Sequence, residues 1–328
     1  MTMNNSFVFI VNPNARNGKS QKLWRKIEKE LIEKEIPYEV FKTEAPLHAT
    51  QLTKEILARP NFNGKIIAVG GDGTINEVAN DLGKSKVTVT CLPAGSGCDF
   101  ARGYGIPLRG DKSFLWLLNQ KYSIEDVDFG SYEIEGTEGF FVNNLGCGFD
   151  AVVAKSANGS KLKKWFNNLG VGKLVYVYFL LKHTFSFQTT DVEIKVDQRT
   201  YSFKNMWFLT FNNHPFFGGG MKLSPVSHPS DGELELTVVH NLSRIKLLSL
   251  FITVFWGGHT KLKEVTSLKG KNFYVQTKSP QVIHADGEII GQGNLQVQIE
   301  SDGLTIMKPS ERLDLKMETD IKSKRLPL

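Results

Sequence analysis

The stretch Gly70-Gly71-Asp72-Gly73-Thr74-Ile75-Asn76 separates the β-branched run Lys65-Ile66-Ile67-Ala68-Val69 from an amphipathic segment. Glycines let a backbone approach a ligand closely, and the N–H groups that open a helix attract phosphate oxygens. A carboxylate at that point can hold Mg2+ directly or through water. The chemistry on offer is a phosphate cradle. A tight strand-to-helix turn capped by Asp72 fits the same residues, so the motif needs company.

Company comes from two further turns. Leu92-Pro-Ala-Gly95-Ser96-Gly97-Cys98-Asp99-Phe-Ala-Arg102 leaves the next strand-like run, and Asn12-Pro13-Asn14-Ala15-Arg16-Asn17-Gly18-Lys19 leaves the first. In an open parallel sheet, ligands bind beyond the carboxyl ends of adjacent strands, so the three turns are expected to face one ligand. Arg16 and Lys19 would add positive charge there. Gly18-Lys19-Ser20 is not a Walker A loop, because Pro13 stands where the first glycine belongs. A dinucleotide fingerprint fails too: Asn76 and Phe100 occupy the third glycine position of the two glycine turns.

The elements that must position these turns follow from periodicity. Phe7–Val11 reads as a strand, Leu23, Trp24, Ile27 and Leu31 form one helical stripe, and Pro37–Phe41 is extended. A second helix carries Ala49, Leu52, Ile56 and Leu57, and a third carries Ile75, Val78, Ala79 and Leu82, stopped by Gly83 before the strand Val87–Leu92. Parallel α/β is the expected architecture. From about Gly130 the period changes to two, as in Asp191-Val-Glu-Ile-Lys-Val and Glu233-Leu-Glu-Leu-Thr-Val. Asp-Gly pairs at 231–232, 286–287 and 302–303 predict hairpins. Ile245–Trp256 reads as a buried helix within this β-rich half. The expected domains are 1–129, joined by a returning segment of about 306–322, and 130–305, with 323–328 as a disordered tail.

Length favours two domains, and a composition of 41% hydrophobic and 23% charged residues is that of a globular protein. Three cysteines with no C-x-x-C pair exclude a disulfide framework and a zinc module, which fits a reducing cytosol. The first residues lack signal-peptide character, and the longest apolar runs fall well short of the roughly 20 residues needed to span a bilayer. The net charge of +6 suits phosphates or an anionic lipid surface. Lys155, Lys161, Lys163, Lys164 and Lys173 interleave with Trp165, Phe166, Leu169 and Val171, a mixture suited to a lipid interface and equally to a solvated helix face. No nucleic-acid recognition module is visible.

Taken together with Asn143-Asn-Leu-Gly-Cys-Gly-Phe-Asp150, Gly218-Gly-Gly-Met221, Asp231-Gly232 and His284-Ala-Asp-Gly-Glu288, these motifs resemble the diacylglycerol-kinase catalytic superfamily, especially its bacterial soluble lipid kinases. The match runs from about Phe7 to Lys308. The resemblance implies an NAD-kinase-like α/β domain that holds ATP, a C-terminal antiparallel β-sandwich, and an active site in the cleft between them. Carried over by position, Asn12, Thr43, Gly70, Gly71, Asp72, Gly73, Thr74, Ile75, Asn76 and Ser96 contact ATP, Asp72 acts through the catalytic Mg2+, and Glu288 is the general base. Asp231 and the Glu233 carbonyl become ligands of a structural Mg2+. Lys19 and Asp128 become supporting residues, Asp128 at the domain junction.

The chain departs from the family pattern at Ser96, where threonine is usual, at Cys98, where asparagine is usual, and at His228, where a carboxylate ligand is expected. Imidazole is a poor donor to hard Mg2+, which puts the structural metal site in question. The expected activity is γ-phosphoryl transfer from ATP to a lipid hydroxyl, with diacylglycerol or a related glycerolipid as acceptor. A sphingoid or ceramide-type acceptor, a soluble acceptor of the NAD-kinase type and a non-catalytic sensor are the alternatives. The implied setting is cytoplasmic, in peripheral contact with the inner membrane face, with a homodimer as one possible state.

Overall fold

The computed structural model describes residues 7–95, 97–119, 122–160 and 174–310. Ser96, most of the basic-aromatic segment from Lys161 to Lys173, and the terminal stretch from 311 onward lie outside the described residues.

The first half alternates as its periodicity predicts: β1 (Phe7–Val11), α1 (Lys19–Glu33), β2 (Tyr38–Lys42), α2 (His48–Leu57), β3 (Lys65–Gly70), α3 (Asp72–Leu82) and β4 (Thr88–Pro93). The strands are parallel in the order β2-β1-β3-β4. Helices cover both faces of this sheet, which is why β1 and, after Lys65, β3 are apolar runs rather than alternating. Trp24, Ile27 and Leu31 of α1 pack on one face beside Phe114 and Leu117 of α5 (Gly110–Leu118). Ala49, Ile56, Ile75 and Val78 of α2 and α3 pack on the other. The short α4 (Asp99–Gly103) follows β4.

The second half is the antiparallel β-sandwich: β5 (Tyr122–Ile134), β6 (Thr137–Phe141), β7 (Asn144–Gly148), β8 (Thr190–Val196), β9 (Arg199–Asn212), the small β10–β11 pair (Phe216–Phe217, Met221–Lys222), β12 (Leu234–His240), β13 (Val265–Gly270), β14 (Asn272–Thr277), β15 (Val282–Ala285), β16 (Glu288–Gln292) and β17 (Leu295–Pro309). Along β8, Val192, Ile194 and Val196 are buried while Glu193 and Lys195 face water, the period-two pattern made physical. Helices α6 (Phe149–Asn158), α7 (Leu174–Ser186) and α8 (Arg244–Thr253) cover the Trp207–Phe208 end of β9. The helix read over Ile245–Trp256 therefore ends early, leaving Phe255 and Trp256 in an exposed turn.

The two halves share one hydrogen-bonded sheet. β5 and β17 pair antiparallel from Tyr122↔Pro309 to Ile134↔Leu295, and β17 also touches β4 in parallel at Ile306↔Val89. Both expected domain boundaries thus fall inside continuous strands.

The three Asp-Gly pairs diverge. Asp286-Gly287 forms the expected two-residue hairpin between β15 and β16, with φ of 48° and 90°. Asp302-Gly303 is instead a bulge inside β17, because Glu300 and Leu304 pair with Phe129 and Val127 on the same partner strand. Asp231-Gly232 leads into β12 from a loop, since β11 pairs with β10 and not with β12.

Candidate active site

Strand register sets the row of residues at the carboxyl edge of the parallel sheet. Val11 lies opposite Lys42 and Val69, and Gly70 lies opposite Pro93, so Asn12, Thr43, Gly70 and Pro93 stand side by side. The Asn12 amide N–H donates to the Val69 carbonyl and that of Thr43 donates to the Val11 carbonyl. Asn12 Nδ2 donates to Thr74 Oγ1 at 3.2 Å, which ties the first turn to α3. Lys19 is exposed at the start of α1, after Gly18 in the left-handed region.

The two glycine turns are locked together. The Gly70 carbonyl accepts the amides of Ala94 at 2.7 Å and Gly95 at 3.0 Å. A Cβ on Gly95 would stand 2.4 Å from the Gly71 Cα, so backbone meets backbone there. Gly97 in turn leaves room for Asp72, whose Oδ2 would lie 2.5 Å from a Cβ at that position. Gly73 differs from all of these: a Cβ there would meet nothing within 4 Å, and its φ is not positive. Neither packing nor backbone conformation requires glycine at Gly73, although glycine inside a helix costs about 1 kcal/mol relative to alanine.

Asp72 opens α3 and reaches across to α4, where Oδ1 accepts the Phe100 amide at 3.1 Å. It caps a five-residue helix whose own N-cap, Cys98, makes no side-chain cap. Burial pushes the Asp72 carboxyl up to about 6, and the charges of Asp99 and Asp286 push the same way against the Phe100 and Cys98 amides. Asp72 by itself is one hard oxygen donor, which suits a Mg2+ held chiefly by nucleotide phosphates and water. Thr74, Ile75 and Asn76 are buried in the core side of α3, and Asn76 is engaged by Asn80. Their side chains support the turn more than they present to the cleft.

The β15–β16 hairpin faces α3 from the other domain. Glu288, the first residue of β16, is exposed, and its charge is one of the weaker causes holding the Glu77 carboxyl on α3 above its ordinary value, after burial. The hairpin is held from below. Asp286 Oδ1 accepts the amides of Asn143 and Asn144, and Oδ2 accepts that of Val142, each at 2.9 Å. The Gly287 amide donates to His284 Nδ1 at 3.2 Å, so the proton sits on Nε2 and points at Asp150 Oδ2, also 3.2 Å away. Gly146 makes space for this dyad: its Cβ would strike both the Asp150 carboxylate and the His284 ring. Asp150, His284 and Asp286 were motif residues without assigned roles; their partners are distant in sequence, and spacing alone does not reveal them.

The walls of the cleft are joined by buried polar contacts. Asp99 pairs with Arg102 at 2.8 Å and accepts the Gly219 amide at 2.6 Å, linking α4 to the Gly218-Gly219-Gly220 loop. His214, fully buried, donates from Nε2 to Asn143 Oδ1 at 2.8 Å while Nδ1 accepts the Phe216 amide. Burial lowers its pKa to about 4, so the ring is neutral. Asp128 is also buried, and both its oxygens are taken by backbone: Oδ1 by the Asp302 amide and Oδ2 by the Gly232 amide. It is a junction strut rather than a group presented to the cleft.

At Asp231 and Glu233, where the resemblance implies a structural Mg2+, both side-chain carboxylates face a cation of the chain itself. The Lys269 ammonium lies 2.9 Å from Asp231 Oδ2 and 3.2 Å from Glu233 Oε2. The exposed His228 is among the charges that hold Glu125 down, behind Lys308. Among the described residues no group of three or more His, Cys, Asp or Glu could hold a metal ion. A concavity of about 850 Å3 lies elsewhere, between Phe187, Trp207 and Arg244, with no cluster of titratable groups in its lining.

Comparison with known proteins shows the family. Residues 6–131 match the diacylglycerol kinase catalytic domain, and residues 143–308 match the YegS C-terminal NAD kinase beta sandwich-like domain. The chain is 33% identical to the Bacillus subtilis (strain 168) protein named "Putative lipid kinase YtlR", covering 86% of this chain and 93% of that one. It is 31% identical to the diacylglycerol kinase of the same organism, over 74% and 76% of the two chains. A crystal structure of a diacylglycerol kinase from Bacillus anthracis (strain Sterne) shares the fold with a TM-score of 0.69 at 18% identity, over 94% of this chain and 99% of that one. The chain belongs to the diacylglycerol-kinase family of lipid kinases and is an ATP-dependent lipid kinase. No helix among the described residues is long and apolar enough to cross a membrane.

Proposed function

We propose that this kinase phosphorylates the hydroxyl of diacylglycerol or a related glycerolipid at a membrane surface, with Asp72 and Glu288 as its catalytic pair. The observation that carries the reading is Gly73, an exposed glycine at the first turn of α3 that neither backbone conformation nor contact with the described residues requires. Its missing side chain makes sense as clearance for a triphosphate against the helix N-terminus. Asn12, Thr43 and the 70–76 turn would cradle the phosphates, with Ser96 contributing from the second turn. Asp72 would hold the Mg2+ that neutralises developing charge on the transferred group. Glu288 would accept the proton of the lipid hydroxyl as its oxygen bonds to the γ-phosphorus and the bond to ADP breaks.

The family names among the relatives support a glycerolipid acceptor. Peripheral membrane contact is supported by an apolar face beside the hairpin. On α7, Val177, Leu181 and Phe185 are exposed; on and after α8, Ile245, Ile252, Phe255 and Trp256 are exposed. Lys182 and Lys246 flank this surface. The face reaches the cleft mouth, since Tyr176 donates to Asn158 Oδ1 and Asn158 Nδ2 donates to the Gly287 carbonyl beside Glu288. An aliphatic and aromatic surface edged with lysine suits an anionic bilayer.

One assay tests the whole reading: purified protein, labelled Mg-ATP, and micelles of diacylglycerol, ceramide or a sphingoid base. Label should enter diacylglycerol and fall by at least about 100-fold in Asp72→Asn and Glu288→Gln. Full incorporation by either variant would remove that residue from the mechanism. Trp256→Glu combined with Phe185→Glu should weaken sedimentation with anionic vesicles.

A further inference from the structure

The family resemblance places a divalent ion at Asp231, and the residues found there do not suit one. Lys269 lies on β13 directly opposite Glu235 of β12. From that position its ammonium reaches three carboxylates at once: Asp231 Oδ2 at 2.9 Å, Glu233 Oε2 at 3.2 Å and Glu235 Oε1 at 3.9 Å. Both Asp231 oxygens already serve the chain itself: Oδ1 accepts the Glu233 amide at 3.2 Å and Oδ2 accepts Lys269. A Mg2+ bound to Asp231 needs oxygen at about 2.1 Å, which would bring it close against a like-charged ammonium. His228 supplies no compensating carboxylate.

The position of this cluster gives it mechanical consequence. Gly232, between the two clamped carboxylates, donates its amide to Asp128 Oδ2 at 2.8 Å, and Asp128 Oδ1 takes the Asp302 amide at 3.1 Å. A cation on the 231–233 turn is therefore one hydrogen bond away from the paired strands β5 and β17 that join the two domains. We propose that Lys269 is a built-in cation that replaces the structural divalent ion, so that the C-terminal domain needs no metal to brace the Asp128 junction. The enzyme's metal requirement is then confined to the nucleotide site. The tertiary clamp does not depend on which lipid is phosphorylated.

The test is thermal unfolding of the full chain without nucleotide, carrying Asp72→Asn so that the nucleotide-site carboxylate takes no metal. With Lys269 present, Tm should be the same in chelator and in millimolar Mg2+, Mn2+ or Ca2+. Lys269→Ala should lower Tm by several degrees in chelator and recover at least half of the loss in one of these cations, whereas Lys269→Arg should keep Tm unresponsive to them. A divalent cation that raises Tm while Lys269 is present, with the rise abolished by Asp231→Asn, would overturn the proposal. So would a Lys269→Ala protein with an unchanged Tm and no response to cations. Should Lys269→Ala not fold, the measurement with Lys269 present still decides.

Discussion

The Asp99 carboxylate of the ATP-binding domain accepts the backbone amide of Gly219 in the β-sandwich at 2.6 Å, so the second glycine turn is fastened to the opposite wall of the cleft. Asp99 is 5% exposed and also holds Arg102. Replacing it with alanine removes an acceptor of the Gly219 amide and the carboxylate partner of the partly buried Arg102, whose Nη1 also donates to the Gly97 carbonyl. Asp99→Ala should cost about 1–3 kcal/mol of stability and raise KM for ATP more than it lowers kcat, measured by denaturant unfolding and steady-state kinetics. An unchanged KM would separate this contact from the nucleotide turn.

Gly73→Ala should move stability and activity in opposite directions. The helix gains up to about 1 kcal/mol, because alanine is the better helix former and the added methyl meets open space. The same methyl intrudes on the proposed triphosphate, so ATP affinity should fall at least about tenfold by calorimetry. Unimpaired binding would move the nucleotide away from the start of α3.

Cys98 holds a left-handed conformation, φ 62°, which asparagine or glycine adopts at lower cost. Its thiol is pushed up to about 11, first by burial and then by Asp72, so it is a protonated and unreactive group. Cys98→Asn should stabilise the protein by about 1 kcal/mol and leave thiol-reagent sensitivity unchanged in the native state. A lower Tm would show that the thiol packs better than an amide in this turn.

His214 makes the cleft wall sensitive to acid. Its folded pKa of about 4 lies below the ordinary 6.5, so between these values the unfolded chain takes up a proton that the native protein refuses. Stability is complete above pH 6.5 and declines as pH falls toward 4, by at most about 3 kcal/mol from this group. His214→Gln should flatten urea stability across that window. An equally steep profile in the variant would assign the acid sensitivity to the carboxylates instead.

How much of this could be read in advance depends on distance along the chain. Helix stripes such as Trp24, Ile27 and Leu31, and the alternation of β8, are local periodicities imposed by burial, and they appear in the sequence directly. The placing of Asn12 and Gly70 at one sheet edge was legible because a parallel sheet aligns strand termini whatever the side chains, whereas Thr43 came from the family resemblance alone. The Asp-Gly pairs were ambiguous, because tolerance of positive φ serves a hairpin at Asp286 and a bulge at Asp302 equally well. What selects between them is the partner strand, which lies more than a hundred residues away. Lys269 was invisible on similar grounds. Its meaning exists only when β13 pairs with β12 and brings it among Asp231, Glu233 and Glu235.

The shared sheet limits how the kinase can open and close. β5 and β17 run 13 and 15 residues, about 40–50 Å each, straight through the join. A ribbon of that kind cannot swivel like two lobes on a string of loop residues; it can only flex, as a leaf spring does, and its softest point is the interrupted pairing between Glu300 and Leu304. Approach of the proposed proton acceptor to the phosphate cradle would then be a graded twist about Asp128 and Asp302, stiff enough to return the cleft to one resting width after each turnover.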